Sequence, residues 1–537
     1  MDEQLDEQID RQPKTGVLGD EPAQPLSPAG ELDAASGGSA QLGAPAGELE
    51  APEGKSEQPD SVTTTSPDDN RIQPKTRALT VALVMASFAT SFAGSSLNVS
   101  IPSIGAEFAV PTATLGWLLT AFTMCSVAFT LPLGRLGDLY SRRTLLMVGI
   151  AIFSLANLTA AFVPSMQVML TLRFFQGIGG ACMFATNQAI LIDAYPPNVR
   201  GRVLGISMSA VYFGLAAGPI VGGFITQHLS WRAVFIFMAA LGIITFCVAI
   251  GRLPKNASRA EPGQIRKNLD IPGMIFYMLG IVSLAWGLNN LPKNILAYVF
   301  VGVGLLLIGA FILWENRATS PLLNPRLFKA GWSFALSNLS AFFNFSSTFA
   351  VSYLMSIYLQ QVKGFGADIS GFILVTAPLT QATVTLFAGR FSDRYSPFRL
   401  ASIGCGFCSL ALISFIFVGP ESPLLHIFIN LILMGIGFGF FASPNTNAVM
   451  SLVPRQDFGT ATAFLGTMRN LGQIVGMSVI VIITTIYLQD QPINTVAAAD
   501  LSQVIKTCFM VFSIICLTGV FTSLQHKIKK PVEGSKD

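Results

Sequence analysis

Long apolar runs alternate with short polar turns along most of the chain. Fourteen runs of about 18 to 29 residues contain almost no charge, and a run of this length crosses a hydrocarbon core about 30 Å thick as a helix. A helix also satisfies its own backbone hydrogen bonds inside lipid. The pattern therefore predicts an all-α polytopic membrane protein with 14 transmembrane helices. The predicted spans are residues 78–101, 115–133, 144–163, 168–192, 203–226, 233–250, 271–288, 295–314, 334–359, 369–388, 400–418, 424–450, 460–488 and 504–524.

Basic residues concentrate in every second loop. They precede the first span, follow each even-numbered span and continue after the last span, whereas the opposite loops carry little beyond Arg232, Lys293 and Lys363. Loops rich in Lys and Arg stay in the cytoplasm. The charge pattern therefore predicts a multi-pass protein with both termini cytoplasmic, and we expect the membrane to be the plasma membrane.

Composition adds a region outside the spans. The whole chain is 51% hydrophobic and 12% charged, but residues 1–75 hold 16 acidic and 5 basic residues and few large apolar ones. Such a segment cannot bury enough apolar surface to fold, so we interpret it as a disordered tail that is either passive or regulatory. The expected domains are the acidic tail 1–75, a six-helix half 76–252, linkers with an inserted helix pair 253–332, a second six-helix half 333–525 and a basic tail 526–537.

One charged turn occurs twice in the chain. The stretches "GRLGDLYSRR", residues 134–143, and "GRFSDRYSPFR", residues 389–399, share Gly, Arg, Asp, Tyr and Ser at a constant offset of 255 residues. Glycines further along match at an offset of 258, among them Gly177 with Gly435. Because the matching spans run in the same direction, the two halves are predicted to be parallel repeats, as in some secondary transporters.

Four motifs in sequence order resemble those of the major facilitator superfamily, specifically its fourteen-helix drug:proton antiporter branch. They are "NVSIP" (98–102) in the first span, the turn at 134–143, "RFFQGIGGA" (173–181) in the fourth span and "GLAAGPIVGG" (214–223) in the fifth. The resemblance covers roughly residues 78–524. It implies a multidrug-exporter-like transporter, not an enzyme, whose halves rock about a central substrate site.

The duplicated turn is a candidate conformational switch. A carboxylate in such a turn can face a helix N-terminus, where the macrodipole favours negative charge. The resemblance implies that the first turn faces the start of span thirteen near Gly459, and that the second faces the start of span five near Gly201. These contacts would latch the cytoplasmic side when it closes; the alternative is that the basic residues only set topology. The switch residues are Gly134, Arg135, Asp138, Arg142, Gly389, Arg390 and Asp393.

Arg173 and Arg469 are the only charged residues well inside predicted spans, and Gln176 lies about one turn from Arg173. An ionisable group at this depth is unfavourable unless it is paired or hydrated, which makes it a functional candidate. We consider these residues candidates for substrate binding or coupling. In the alternative, each arginine satisfies backbone carbonyls at a helix break.

Small residues recur on one face of the fifth span, where they let two helices approach closely, and a proline there bends the helix. This packing motif comprises Gly214, Gly218, Pro219, Gly222 and Gly223. Polar and aromatic residues of several spans are candidates for lining the substrate cavity, although each is individually compatible with helix packing. They are Ser95, Ser96, Asn98, Trp117, Gln188, Tyr212, Asn344, Gln381, Asn445 and Asn447.

The chain departs from the family at Ala93, where the resemblance places a carboxylate. Two embedded arginines without an embedded acid favour an anionic or neutral amphipathic substrate and leave protons as an open candidate for the coupling ion. We predict an exporter of small amphipathic or organic-anion compounds. The alternatives are an uptake symporter or facilitator for an organic anion or small metabolite, and a transporter-derived sensor. No GxxxxGK[ST] loop or histidine cluster occurs, so we expect no cofactor, metal or nucleic acid.

Overall fold

The computed structural model describes residues 74–195, 197–253, 269–291, 294–318, 321–323, 331–454, 458–489 and 491–524. The predicted acidic tail, the predicted basic tail and most of the linkers around the inserted helix pair lie outside these residues. The described chain is almost entirely helical. Its only recorded β-type pairing is one isolated bridge between Pro111 and Pro492. The predicted all-α polytopic fold is confirmed.

Short turns connect the first six helices, which we call the first half. Their bounds are α1 Pro74–Phe108, α2 Thr112–Leu139, α3 Arg142–Ala160, α4 Met166–Ala194, α5 Pro197–His228 and α6 Trp231–Ile250. Serine side chains accept hydrogen bonds from exposed backbone N–H groups at the starts of α3, α4 and α6. Such caps satisfy donors that have no partner within the helix.

An inserted pair and a second half follow. The pair is α7 Ile271–Asn290 and α8 Ile295–Glu315. The second half comprises α9 Trp332–Thr348, α10 Val351–Ile357, α11 Ala367–Leu374, α12 Thr376–Arg394, α13 Pro397–Phe415, α14 Leu424–Ser451, α15 Phe458–Leu488 and α16 Ala498–Ser523, with a π-helical turn at Tyr358–Val362 after α10.

Thirteen helical segments in the described chain are long and apolar enough to cross a bilayer. The remaining predicted span, 334–359, is divided into α9 and α10. Before the break, the hydroxyl groups of Ser346, Ser347 and Thr348 donate to carbonyls of the preceding turn. Back-bonding of this kind bends helices, which gives a physical reason for the break.

A second break separates α11 from α12 inside one membrane-spanning segment, Ala367–Gly389. Pro378 lies four residues after Leu374, the last residue of α11. A proline has no N–H to donate to that carbonyl, and its ring crowds the preceding turn. The chain therefore bends at Val375 and resumes as α12.

Recorded hydrogen bonds between the two halves lie at one end of the bundle, which we call the closed end. Gln360 donates to the Val99 carbonyl at 2.9 Å, and the Thr112 N–H donates to the Gln491 carbonyl at 3.0 Å. The Ala367 N–H donates to the side chain of Gln227 at 2.9 Å. The opposite end carries the α2–α3 and α12–α13 turns, and we call it the motif end.

The inserted helix α7 contacts both halves. The Tyr277 hydroxyl donates to the Val127 carbonyl of α2 at 3.1 Å, and the Asn289 amide donates to the Ser478 hydroxyl of α15 at 2.9 Å. Apolar residues from α2, α7 and α15 pack into one cluster beside these bonds. The pair thus lies against the boundary between α2 and α15.

Candidate functional site

The turn at the motif end forms its recorded contacts inside the first half. Arg142 donates through Nε to Asp138 at 2.7 Å and also pairs with Asp193 at the end of α4. Asp138 is about half exposed. The structure brings the predicted switch residues Asp138 and Arg142 together, and their partners among the described residues belong to the first half.

The equivalent turn of the second half cannot be compared side chain by side chain. The surroundings of Arg390, Asp393, Gly201 and Gly459 lie outside the described part of the chain. The cross-half latch therefore stays a prediction. The two turn glycines do occupy matching places: a Cβ on Gly134 would lie 3.7 Å from Ala185 of α4, and one on Gly389 would lie 4.0 Å from Ser443 of α14.

Arg173 is packed inside the first half. Only 1% of the residue is exposed, and Nε donates to the Leu118 carbonyl of α2 at 2.8 Å. One terminal nitrogen donates to Gln176 at 2.6 Å, and the guanidinium lies 4.8 Å from the ring centre of Phe122. Gln176 donates in turn to Ala156 of α3 at 3.3 Å. The side chain thus connects α2, α3 and α4, which corresponds to the structural alternative for this arginine.

Arg469 on α15 has a different environment. It is only partly buried. It donates to the Ala442 carbonyl at 3.1 Å and to the Thr446 hydroxyl at 2.7 Å, both on α14. Its guanidinium lies 5.4 Å from the ring centre of Phe345 on α9. Tyr212 on α5 of the first half lies in its neighbourhood.

The glycine motif of α5 forms a close crossing with α1. A Cβ on Gly214 would lie 2.7 Å from the Phe88 carbonyl oxygen, and one on Gly222 would lie 2.8 Å from the Cβ of Ser96. Gly218 faces Ser95 in the same way, whereas Gly223 meets the Ala367 carbonyl of the second half. The motif therefore packs α5 against α1 on one side and against α11 on the other, the latter at the closed end. Pro219 lies inside α5 at the level of this crossing.

The cavity candidates fall into two groups. Ser95, Ser96, Asn98, Asn344 and Asn445 are buried. Two of them have packing partners, because Ser95 donates to the Gly214 carbonyl and Asn344 donates to the sulfur of Cys405.

The other candidates have accessible side chains. Trp117, Gln188, Tyr212 and Gln381 are partly exposed, and Asn447 is exposed. Asn447 donates to the Ser392 hydroxyl of α12 at 3.0 Å. These five side chains and Arg469 are thus at least partly accessible, unlike the buried group.

Sequence reasoning missed the partners of Arg469. Thr446 had a signal, since it lies 258 residues after the candidate Gln188 and so occupies the repeated position. Phe345 had none, because a phenylalanine in an apolar span resembles every other core residue. A polar network in the first half was also missed, in which Asn187 donates to Ser87 at 2.6 Å and Ser87 lies 3.1 Å from Ser207.

Comparison with known proteins agrees with this architecture. The sequence profile described as the Major Facilitator Superfamily matches residues 83–477, more than half of the chain. The chain belongs to this superfamily. The protein is therefore a multi-pass membrane transporter whose surroundings are a lipid bilayer and whose cargo is a small molecule.

Two curated relatives and one solved structure illustrate the relationship. The riboflavin transporter RibZ of Clostridioides difficile strain 630 is 28% identical over 72% of this chain and 84% of its own length. The multidrug efflux pump LfrA of Mycolicibacterium smegmatis is 26% identical over 75% of this chain and 81% of its own length.

The structure of a bacterial homolog of the human lysosomal transporter Spinster, in an inward-facing and occupied conformation, superposes with a TM-score of 0.63. It is 14% identical and covers 84% of this chain and 96% of its own. At this identity the likeness concerns the fold. The family match and the export and efflux proteins among the sequence relatives are consistent with the multidrug-exporter-like part of the superfamily.

Proposed function

We propose that this transporter exports small amphipathic or organic-anion compounds by alternating access and carries out no chemical reaction on them. The observation that carries the proposal is the environment of Arg469. The residue is only partly buried and lies beside the aromatic ring of Phe345. Its Nε is buried without a hydrogen-bond partner among the described residues, as is one terminal nitrogen of Arg173. A cation next to an aromatic face suits a molecule with an acidic group and an apolar body.

The absence of a nearby acid supports the same substrate class. Ala93 occupies the position where the family resemblance implies a carboxylate, and it is 1% exposed. Among the described residues, no carboxylate forms an ion pair with Arg469. A cationic drug would therefore meet a positive site without a compensating charge, whereas an anion would be attracted to it.

Export as the direction rests on the glycine motif of α5 and on the efflux pump among the relatives. Uptake is the competing direction, since the relative RibZ is described only as a riboflavin transporter. The basic loops at the motif end support a cytoplasmic location for that end and for both termini. In this arrangement the two six-helix halves rock, the closed end faces outward, and Asp138 and Asp393 latch the motif end in the opposite state.

Transport by the purified protein in liposomes tests the substrate class. Because a buried charge-assisted hydrogen bond contributes about 1.5–3 kcal/mol, we expect Arg469→Gln to weaken binding of an organic-anion dye by about ten- to a hundredfold. Arg469→Lys should retain part of the affinity, since it keeps the charge.

The control is Arg252→Gln, which removes an exposed arginine after α6 and should leave transport unchanged. A panel of cationic and anionic dyes completes the experiment. The proposal is wrong if the unaltered protein exports cationic dyes and Arg469→Gln does not diminish that export. The arginine would then be structural.

A further inference from the structure

Two carboxyl groups meet at the base of the inserted helix pair. Asp270 immediately precedes α7 and is 8% exposed, and Glu315 is the last residue of α8 and is 4% exposed. In the sequence each flanks an apolar run, as ordinary boundary residues do. The structure brings both into one buried place at the motif end.

Each carboxyl has one oxygen with hydrogen-bond donors. Oδ1 of Asp270 accepts from the Gly273 N–H at 3.1 Å and from the Trp314 indole at 2.8 Å. Oε2 of Glu315 accepts from the Leu323 N–H at 3.1 Å. The second oxygens, Asp270 Oδ2 and Glu315 Oε1, are buried and have no partner among the described residues.

These two unpartnered oxygens face the same point. A Cβ built on Gly273 would touch Asp270 Oδ2 and would lie 3.0 Å from Glu315 Oε1. Asp270 is thus the ionisable side chain that faces Glu315 Oε1, while Glu315 Oε2 is held by the Leu323 N–H. Two facing carboxylates in a buried place repel each other strongly, whereas a single proton between them forms a short charge-assisted hydrogen bond.

Other titratable or charged groups near the pair are few in the described chain. The contacts of α7 with α2 and α15 are made by the neutral side chains of Tyr277, Asn289 and Ser478. Arg317, after the end of α8, is exposed and forms none of the recorded ion pairs. Within the described chain, no positively charged side chain therefore pairs with these two carboxyl groups.

The helix ends determine which residue carries the proton. Asp270 caps the N-terminus of α7, where the helix dipole and two donors stabilise an ionised carboxylate. Glu315 lies at the C-terminus of α8, where the dipole disfavours negative charge. The helix ends therefore favour the proton on Glu315 Oε1, from which it would be donated to Asp270 Oδ2.

We propose that Asp270 and Glu315 form a proton-binding pair that holds one proton between their facing oxygens. Because α7 is bonded to both halves, movement at the motif end would change the hydration of this pair and hence its proton occupancy. The pair would be a coupling site outside the central cavity, in a protein whose first helix lacks a carboxylate at Ala93. The proton occupancy stands on the geometry alone; the coupling role rests on the proposed transport.

Infrared spectroscopy of the purified full-length protein at neutral pH tests the occupancy. We expect a protonated-carboxyl band that is lost in Glu315→Gln. Asp270→Asn should also remove the band, because the new amide can donate a hydrogen bond to an ionised Glu315. This second variant provides the test if Glu315→Gln does not fold. The control Asp500→Asn, at an exposed position in the first turn of α16, should keep the band.

Thermal unfolding gives a second measurement. If the folded protein holds a proton that the unfolded chain releases, stability falls as pH rises through the titration of the pair. The melting temperature of the unaltered protein should therefore decrease from acidic to mildly basic pH, and Glu315→Gln should flatten this decrease. Asp500→Asn should not change it.

Two results would overturn the proposal. One is the absence of a protonated-carboxyl band at neutral pH in the unaltered protein. The other is a rise of the melting temperature on addition of Na⁺ or Ca²⁺ that Glu315→Gln abolishes, which would identify a metal-cation site instead. If the band is present but the protein transports none of the tested compounds, the proposed function fails and the proton site stands.

Discussion

The first and second halves repeat the same helix crossing but differ in their charged residues. A Cβ on Gly214 of α5 would lie 2.7 Å from the Phe88 carbonyl of α1, and one on Gly472 of α15 would lie 2.5 Å from the Phe342 carbonyl of α9. The two glycines are 258 residues apart. Both halves therefore use a glycine to bring the corresponding pair of helices into contact.

The arginines do not follow this repeat. At the same offset, Leu431 corresponds to Arg173, and Val211 corresponds to Arg469. Arg173 is enclosed and bonded to neighbouring helices, whereas Arg469 is only partly buried. The close helix crossing is thus repeated in both halves, whereas each arginine belongs to one half only.

The largest expected loss of stability comes from replacing Arg173. Substitution Arg173→Met leaves the Leu118 carbonyl and the Gln176 side chain without their donor, and each buried unpaired group costs about 1–3 kcal/mol. We therefore expect a loss of about 2–5 kcal/mol in stability, measured as a lower melting temperature in detergent. Arg469→Met should cost less, because the residue is only partly buried. Equal losses in the two variants would remove the distinction between the arginines.

A smaller effect tests the shared crossing. We expect Gly472→Ala to cost about 1–3 kcal/mol, because the added methyl would press against the Phe342 carbonyl in a closely packed site. Gly214→Ala should cost a similar amount in the first half. Gly466→Ala is the matched control on the same helix α15, where a Cβ would meet nothing within 4 Å. That variant should be neutral or more stable by about 0.5–1 kcal/mol.

Thermal melting of the three glycine variants, purified in parallel, provides the measurement. If Gly472→Ala and Gly466→Ala melt at the same temperature, α15 does not need its close approach to α9. If only Gly214→Ala is destabilised, the close crossing contributes to stability in the first half but not in the second. The two halves would then share the geometry of the crossing but not its energetic role.

The smallest expected effect concerns the motif end. Asp138→Asn should keep the shape of the turn but weaken its attraction to a helix N-terminus by about 1 kcal/mol, which slows transport up to about fivefold at normal expression. Asp193→Asn is the control, since Asp193 shares the contact with Arg142 but lies at the end of α4.

If both aspartate variants slow transport equally, the pairing inside the first half accounts for the effect and the latch is unnecessary.

The substitution Ser396→Cys, in the equivalent turn of the second half, reports in the same cells on which side of the membrane that turn lies. The introduced thiol should react with a membrane-permeant thiol reagent and not with an impermeant one.

The sequence predicted the helices well because each transmembrane run must be long, apolar and uncharged. Thirteen segments were recovered in this way. The division of the remaining span into α9 and α10 was missed, because hydropathy does not record hydroxyl groups that bond back to carbonyls. The fold of the tails could not be compared, since those residues lie outside the described chain.

The candidate site was less predictable. Depth in a span identified Arg173 and Arg469 equally well, but only the neighbouring helices distinguish a packed arginine from an accessible one. The same limit applies to Ser96 and Asn344, which have the polarity of cavity residues and are fully buried. The pairing of Asp270 with Glu315 joins two residues 45 positions apart, and no local pattern in the sequence indicates it.

The position of the inserted pair also affects how a molecule dissolved in the bilayer can reach the transporter. Two boundaries between the halves run along the bundle, one between α2 and α15 and one between α5 and the α11–α12 segment. The helix α7 packs on both members of the first boundary. Lateral entry from the lipid is therefore obstructed there by protein, and the two sides of the bundle present unequal routes to lipid-soluble compounds.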